Sequence, residues 1–298
     1  MLEAVVNVSE GRRPDVLADL ARACGAALLD VHSDVDHDRS VFTLAGTSAG
    51  VTRAAVRRLA DAVAGGPFDL HHGNGVHPRL GILDVVPFVA LGDTDAAIAV
   101  DAATEFADWL ASHHGIPVFR YDDADPQRRS LPATRRDAFS SRAPDAGPPS
   151  PHPRLGATAV GARRPMIAVN CRLDSDDLDL ARRIARTVRE RDGGLVGVRA
   201  LGFPLAGRGC VEVSMNLVDL DTTGLQPACE RVRELARRAG HDVVDVEIVG
   251  LVPASALAGT TADFSAWSGV TAERTIEAAT ARAAAASGGR GPGGAPAP

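Results

Sequence analysis

The chain has 298 residues, 45% of them hydrophobic, and a formal net charge of -6 with a pI near 5.8. This length and apolar content allow a large buried core, and two lobes of about 100 to 150 residues each are favoured. The negative charge disfavours general affinity for nucleic acid or an anionic membrane, because both require a basic surface. An anionic ligand therefore requires a local basic pocket.

The sequence carries no signal for a membrane span or for a cysteine-based zinc site. No stretch approaches the roughly 20 consecutive apolar residues that span a bilayer, and the N-terminus MLEAVVNV has no basic region before an apolar segment. We therefore expect a cytoplasmic protein without a membrane partner. Four cysteines lie far apart without a CxxC pair, so we expect no metal and no disulfide framework. They are expected to be core residues: Cys24, Cys171, Cys210 and Cys229.

The first half of the chain alternates strand and helix patterns. A helix is expected to begin at Pro14, because proline is favoured in the first helical turn. The predicted order is strand 4–8, a helix from Pro14, strands 27–31 and 40–45, helix 49–64 and strand 82–91, followed by helix 95–113 and strand 116–121.

The second half repeats this order after a proline-rich connector at 142–153. Its predicted elements are strand 166–173, helix 176–191, strands 198–205 and 211–217, helix 225–239 and strand 243–249. The order βαββαβ is the split βαβ arrangement, so we predict an α/β (α+β) protein with two ferredoxin-like lobes.

The predicted domains are an N-terminal subdomain over 1–150, a C-terminal subdomain over 151–259 and an extension over 260–298. Within the extension, the alanine content of 271–286 predicts one helix. Residues 288–298 consist of Gly, Pro, Ala and Arg and predict a disordered tail, because they offer little to bury.

A five-residue motif, HPRLG, occurs twice, at 77–81 and 152–156. In each copy the proline disfavours helix at the preceding histidine, so a His beside an Arg is expected in extended backbone at the start of a strand. The sequence GNG at 73–75 predicts a flexible turn that permits close approach of a ligand or another backbone. Each histidine is a candidate catalyst, and the competing interpretation is a turn shared by duplication.

The motifs and their order resemble the glutamate formiminotransferase family from about residue 3 to 258. The segments that resemble its N-terminal half are VNVSEGRR (6–13), LLD (28–30), DHDRSV (36–41), HPRLG (77–81) and DVVPF (84–88). Those that resemble its C-terminal half are HPRLGATAVGAR (152–163), VEVSMNL (211–217) and GLVP (250–253).

This resemblance implies two lobes with facing sheets, a folate-binding cleft or tunnel between them, and usually a homodimer. It also implies transfer of the formimino group from N-formimino-L-glutamate to tetrahydrofolate, the co-substrate, giving 5-formiminotetrahydrofolate and glutamate in histidine degradation. The family's catalytic histidine corresponds to His77. Its folate-binding segment corresponds to Ala157, Thr158, Ala159, Val160, Gly161, Ala162, Arg163, Arg164, Pro165 and Met166.

A single histidine suits this chemistry independently of the resemblance. When an amine attacks a formimino carbon, the tetrahedral intermediate collapses forward only if one nitrogen loses a proton and another gains one. Histidine has an ordinary pKa near 6.5 and can do both, and such catalysis typically contributes about 10² to 10⁴ in rate. The sequence shows no Cys-His or Ser-His pair that would indicate a covalent nucleophile.

Small residues and two arginines make up the segment ATAVGARR at 157–164. Gly161 and the alanines predict room for a flat pterin ring near the backbone, and Arg163 or Arg164 predicts an ion pair with a carboxylate of the folate tail. The competing interpretation is a charged strand edge at the surface.

Other polar residues are candidates for the same cleft. Asn7, Asn170 and Asn216 lie in or beside predicted strands, where they either bind the pterin or glutamate or make structural hydrogen bonds. Arg39 either holds a substrate carboxylate or pairs with Asp36 or Asp38. Arg79 either helps to hold glutamate or secures the HPR turn.

Two departures from the family pattern bear on donor specificity: Val76 replaces a glutamate before the HPR motif, and His32 replaces an aspartate. The nearby His71 and His72 stand where relatives often carry basic residues.

A rival interpretation is a metal-dependent hydrolase of a formimino or formyl compound, using the Asp/His cluster from Asp30 to Asp38. An acidic solvated turn and a non-catalytic folate-binding protein are the further alternatives.

Overall fold

The computed structural model describes residues 1–72 and 78–288, which form two α+β lobes. The first lobe contains β1 (Leu2–Val8), α1 (Pro14–Cys24), β2 (Leu28–Asp34), β3 (Arg39–Ala45), α2 (Ala49–Gly65), β4 (Leu83–Ala90), α3 (Ala96–His114), β5 (Val118–Asp122), α4 (Leu131–Asp137) and β6 (Thr158–Ala162). The second contains β7 (Ile167–Leu173), α5 (Leu178–Val188), β8 (Val198–Leu205), β9 (Cys210–Leu217), α6 (Leu225–Arg238) and β10 (Val243–Ile248), followed by α7 (Ala262–Ser268) and α8 (Ile276–Gly288).

Both lobes contain the same four-stranded arrangement. The second sheet has the order β10-β7-β9-β8, and all its neighbours are antiparallel. The first sheet contains the order β2-β3-β1-β4, so in each lobe the first and third strands of the βαββαβ unit are central. The first sheet then continues with β6 and β5, which run parallel to β4.

The longer helices cover one face of each sheet, while α4 and α8 pack against part of the other face of the first sheet. Leu2, Ala4, Val6 and Val8 alternate along β1 and pack into the first lobe's core. Helix α5 begins after Asp177, whose side chain accepts a hydrogen bond from the Asp179 amide, and buries Leu180, Ile184 and Val188 at helical spacing. Full burial of one such side chain stabilises the fold by about 1.5–3 kcal/mol.

The opposite faces of the two sheets look toward each other. His37 Nε2 of the first lobe lies 2.7 Å from Glu212 Oε1 of the second, and both side chains are buried. At the same end, the Gly207 amide donates to Asp36 Oδ1 over 2.9 Å, and Arg208 Nη2 lies 3.2 Å from Asp34 Oδ2. Contacts at the β2–β3 end of the first sheet therefore close one side of the cleft between the lobes.

The two HPRLG motifs meet in space. Gly81 and Gly156 form an antiparallel bridge, flanked by hydrogen bonds from the Ile82 amide to the Leu155 carbonyl and from the Ala157 amide to the Leu80 carbonyl, each 3.0 Å. A Cβ atom on Gly81 would lie 2.3 Å from the Ala157 carbonyl oxygen, and Gly156 has φ +73°. Glycine is required at both positions because the backbones touch.

The predicted fold class is confirmed, with additions that the sequence patterns did not indicate. Helices α4 and α7 were not predicted, and α8 begins at Ile276 within the helix expected over 271–286. Of the expected disordered tail, residues 289–298 lie outside the described residues. Strand β6 belongs to the first sheet, although it follows residue 150. The domain limits at 150 and 259 stay a prediction.

The described helices include none that is both long and apolar enough to cross a membrane. Of the four cysteines, three are buried as expected, and Cys210 is half-buried.

Candidate active site

Two arginines converge on one buried carboxylate at the start of β4. Asp84 Oδ2 accepts hydrogen bonds from Arg39 Nη1 over 2.7 Å and from Arg135 Nη2 over 2.5 Å. Its Oδ1 accepts from the Leu80 amide over 2.6 Å. Strand β3, helix α4 and the end of the first HPRLG motif are therefore held together by a single side chain.

The electrostatic environment keeps Asp84 ionised. Burial raises the pKa of its carboxyl, but Arg39, Arg135 and the Leu80 amide outweigh burial, and the pKa lies below its ordinary value. Burial also lowers the pKa of the Arg39 guanidinium; Asp84 opposes this shift, and the charges of Arg135 and Arg79 add to it. The arginines repel one another, so an added anion would relieve this repulsion.

Arg39 and Arg79 have further partners in the same region. Arg39 Nε donates to Asn7 Oδ1 over 3.0 Å, and Asn7 Nδ2 donates to the Val5 carbonyl. Arg79 Nη1 lies 3.9 Å from Asp38 Oδ2, while Asp38 Oδ1 accepts from the Gly11 amide. The alternative in which Arg39 pairs with Asp36 or Asp38 is wrong, because its carboxylate partner is Asp84. Its contact with a substrate carboxylate stays a prediction.

These charges leave a positive excess at one end of the cleft. Three arginines, Arg39, Arg79 and Arg135, surround two aspartates, Asp84 and Asp38. All three guanidinium groups are mostly buried, so their field is screened less than on an open surface. This arrangement suits a ligand carboxylate, which guanidinium groups bind with two parallel hydrogen bonds.

The first HPR histidine, His77, lies outside the described residues. Its neighbours Arg79 and Leu80 are described and contact the arginine–aspartate group above. The role of His77 therefore stays a prediction.

The second HPR histidine closes a local turn. His152 Nδ1 accepts from the amides of Arg154 (3.2 Å) and Leu155 (3.1 Å), and the His152 and Gly156 backbones bond to each other. Burial, together with the charge of Arg154, lowers the pKa of His152. A neutral ring with Nδ1 as acceptor matches these bonds, which indicates a structural role for this copy.

The segment from Ala157 to Met166 is divided by burial. Residues from Ala157 to Ala162 are buried, and β6 is paired on both edges by β4 and β5. A Cβ atom on Gly161 would lie 2.5 Å from the ring of Tyr121, so that ring fills the space that we expected a pterin to use. Contact of this segment with folate stays a prediction, and residues 163–166 are its accessible part.

A cavity of about 810 Å³ lies where these residues meet the second lobe. It is lined by residues of both lobes and of α8, among them Met1, Leu91, Arg164, Pro165, Asp221 and Glu277. Arg164 is exposed and pairs with Asp221 over 2.5 Å. The volume falls in the range of ordinary small-molecule pockets, about 300–1,000 Å³.

Glu3 is a buried carboxyl on the cleft-facing side of β1. Its Oε1 has no hydrogen-bond partner among the described residues. Burial raises its pKa to about 7; Arg163 opposes this shift and Glu277 adds to it. Glu3 therefore keeps its proton up to about pH 7, whereas an ordinary glutamate loses it near 4.5.

The remaining predicted asparagines lie on the second sheet. Asn170 is buried, and its Nδ2 lies 3.4 Å from Glu247 Oε2. Asn216 is exposed on the same face of the sheet as Ser214 and Glu212. With Asn7 on β1, the three amides lie on facing sheets, as we expected, and their ligand contacts stay a prediction.

The Asp/His cluster from Asp30 to Asp38 is spread over separate partners. Within residues 1–72 and 78–288 there is no group of three His, Cys, Asp or Glu side chains placed to hold a metal ion. The metal-hydrolase interpretation is not favoured, because the carboxylates are engaged one by one. Asp30 faces Arg274, Asp34 faces Arg208, Asp36 accepts from the Gly207 amide and Asp38 from the Gly11 amide.

Three contributors to the cleft were missed from the sequence: Arg135, Glu3 and the His37–Glu212 pair. Arg135 lies on a seven-residue helix, and its partner Asp84 is 51 residues away. Glu3 is the one acidic residue of the mostly apolar strand β1, and this contrast in the sequence could have identified it.

The fold and the site together define a class: a two-lobed α+β protein with an arginine-lined site between facing sheets. The formiminotransferase domain, N-terminal subdomain, matches residues 1–163, and the formiminotransferase domain matches residues 168–276. The chain therefore belongs to the formiminotransferase domain family.

Named relatives support this assignment. Glutamate formimidoyltransferases of Streptococcus pyogenes serotype M1 and Thermoplasma acidophilum are each 36% identical over 86% of this chain, covering 90% and 89% of their own lengths. Formimidoyltransferase-cyclodeaminase of Gallus gallus is also 36% identical, and the chain spans 51% of its length.

Proposed function

We propose that this chain is a glutamate formimidoyltransferase, which moves the formimino group of N-formimino-L-glutamate to tetrahydrofolate. The products are 5-formiminotetrahydrofolate and glutamate, and His77 is the general acid and base. The observation that carries the proposal is the arginine group around Asp84, reached directly from the first HPRLG motif through Arg79 and Leu80. The names of the relatives above support the choice of reaction.

The donor fits the charges of this group. Formiminoglutamate has two carboxylates, and Arg39, Arg79 and Arg135 supply the positive excess that would bind at least one of them. Asp84 keeps two of these guanidinium groups oriented before substrate arrives. Groups that are oriented in advance need less reorganisation during the reaction.

The proton transfers assign a task to His77. The N5 amine of tetrahydrofolate attacks the formimino carbon and forms a tetrahedral intermediate. His77 takes the proton from N5 and then gives it to the glutamate nitrogen as the bond from carbon to that nitrogen breaks. One imidazole thereby serves as base and acid, and glutamate leaves as a neutral amine.

Folate is proposed to enter between the lobes. Arg163, Arg164, Pro165 and Met166 are the accessible part of the proposed folate segment, and two of them line the cavity of about 810 Å³. Asn7, Asn170 and Asn216 are proposed to bind polar edges of the ligands. We further propose a cytoplasmic homodimer that acts in histidine catabolism, with tetrahydrofolate as co-substrate and no metal.

The test is a spectrophotometric transfer assay with tetrahydrofolate and N-formiminoglutamate, comparing wild type with His77→Ala. We expect the substitution to lower kcat by about 10² to 10⁴, the usual contribution of positioned acid–base catalysis. His152→Ala is the matched control, because it changes the same residue type in the same motif. We expect it to lower activity only slightly.

Equal activity of wild type and His77→Ala would reject the mechanism. An absence of transfer by the wild-type protein would reject the function.

A further inference from the structure

Glu247 of β10 occupies the cleft-facing side of the second sheet. It pairs in register with Asn170 of β7, whereas Ile248 and Val169 beside them point into the helix-covered core. Its side chain is 25% exposed, and it faces His32 of the first lobe, which is 16% exposed. Both side chains are thus partly accessible at the junction of the lobes.

The contacts that the described part of the chain gives to Glu247 are long. Its Oε1 lies 3.7 Å from His32 Nε2, and its Oε2 lies 3.4 Å from Asn170 Nδ2. A separation of 3.7 Å exceeds hydrogen-bond length, and 3.4 Å is beyond the usual 2.7–3.2 Å for an N–H donor. Both carboxylate oxygens therefore retain capacity to accept shorter bonds.

Of the neighbouring acids of the cleft, Glu212 is engaged more closely than Glu247. Glu212 is buried against His37 at 2.7 Å. Asp30 lies 3.6 Å from Arg274, a residue that also donates to the carbonyls of Ile248 and Gly250. Glu247 and Asp30 make this part of the cleft unfavourable for a ligand carboxylate, in contrast to the arginine group around Asp84.

We infer that Glu247 binds an N–C–N pair of hydrogen-bond donors on a substrate of the proposed reaction. A carboxylate accepts two parallel N–H bonds from such a planar fork, as it does from guanidinium. Two groups carry this fork: the formimino group itself, which is an amidine, and the 2-aminopyrimidinone edge of the pterin. The inference rests on the proposed function and adds a specificity residue on the second lobe.

The experiment compares ligands that differ in this fork. For the donor, N-formiminoglutamate is compared with N-formylglutamate, in which oxygen replaces the imino nitrogen. For the acceptor, 5-formyltetrahydrofolate is compared with p-aminobenzoyl-L-glutamate, which lacks the pterin. Dissociation constants are measured by calorimetry for wild type and Glu247→Gln, a change that preserves shape and removes charge.

We expect Glu247→Gln to raise the dissociation constant of one ligand that carries the N–C–N fork by about 10- to 100-fold. This is the loss expected when charge-assisted hydrogen bonds are removed. The matching ligand without the fork should bind as it does to wild type. Weaker binding of formiminoglutamate identifies the amidine as the group that Glu247 binds. Weaker binding of 5-formyltetrahydrofolate identifies the pterin.

Asp245→Asn is the matched control. Asp245 precedes Glu247 by two positions on β10 and pairs with Arg172 over 2.9 Å. We expect unchanged binding of all four ligands, and melting temperatures should agree among the three proteins.

Equal binding of both forked ligands by wild type and Glu247→Gln would overturn the inference, as would equal weakening of forked and fork-free ligands. If wild type transfers formimino groups, either result leaves the proposed function intact. If wild type binds neither forked ligand, the inference and the proposed function fail together.

Discussion

The two lobes share a strand order but place their polar side chains differently in the cleft. On the first sheet, Glu3 and Asp84 are almost completely buried, and Arg39 is nearly so. On the second sheet, Asn216 is exposed and Glu247 is partly exposed, while Glu212 and Asn170 are buried. The first lobe therefore presents fixed charges, and the second presents groups with room to adjust to a ligand.

Removal of the Asp84 carboxylate, which fixes the charges of the first lobe, should have the largest effect on stability and activity. In Asp84→Asn, two mostly buried guanidinium groups lose their counter-charge, which typically costs about 3–5 kcal/mol. We also expect a KM for formiminoglutamate at least about tenfold higher, since the arginines would lose their orientation. Urea unfolding and steady-state kinetics measure the two effects.

Asp125→Asn is the control for that substitution. Asp125 is equally buried in the first lobe and accepts hydrogen bonds from Arg129 over 2.6 and 2.9 Å, and its pKa is lowered to about 2. We expect a comparable loss of stability without a change in KM. Identical kinetics in the two variants would show that Asp84 serves the fold alone.

Glu3→Gln should have the next largest effect, and it should stabilise the protein at high pH. The native protein holds the Glu3 proton up to about pH 7, whereas an ordinary glutamate loses it near 4.5, so this group lowers stability as pH rises between these values. Above pH 7 the penalty is about 3 kcal/mol, at about 1.4 kcal/mol per pKa unit. The variant should gain up to this amount at pH 8 and almost nothing at pH 4.5.

Urea unfolding at both pH values measures the difference. If the free energy of unfolding depends on pH in the same way in wild type and Glu3→Gln, Glu3 does not carry the assigned proton. Glu3 would then have a partner that keeps it ionised.

The His37–Glu212 contact between the lobes should give the smallest effect. Burial lowers the pKa of His37, but the hydrogen bond and charge of Glu212, with the charge of Asp34, outweigh burial and raise it. The resulting stability is present below the unfolded pKa near 6.5 and is lost as pH rises through the folded value. Glu212→Gln should therefore cost about 1–2 kcal/mol at pH 6 and less at pH 8.

Glu230→Gln, at an exposed position on α6, is the control and should change stability by less than about 0.5 kcal/mol. If Glu212→Gln loses the same stability at pH 6 and at pH 8, the proton on His37 does not contribute to stability.

Much of the fold could be predicted from local patterns. Period-two alternation in β1 and the spacing of Leu180, Ile184 and Val188 reflect burial of one face, which the sequence encodes directly. Strand β6 pairs with β4 and β5 through contacts remote in sequence, and α4 is too short to show a period. Neither placement follows from local composition.

The candidate site was harder to predict because its partners are not local. Asp84 lies at a register shift between β1 and β4, so strand alternation does not assign it to a face, and its pairing with Arg39 was missed in favour of the nearby Asp36 and Asp38. The small residue Gly161 indicated close approach correctly, but the approaching group is the ring of Tyr121. A small residue therefore indicates that another group packs closely, but the sequence alone does not show which group it is.

The backbone pairing of the two HPRLG copies gives the second copy influence over the first. A side chain at Gly156 would collide with the Leu80 carbonyl at 2.3 Å, and the Leu80 amide holds Asp84. A substitution in the second copy can thereby alter activity without touching substrate. The two copies are therefore sterically coupled, and a larger side chain at Gly81 or Gly156 requires a compensating shift of backbone in the other copy.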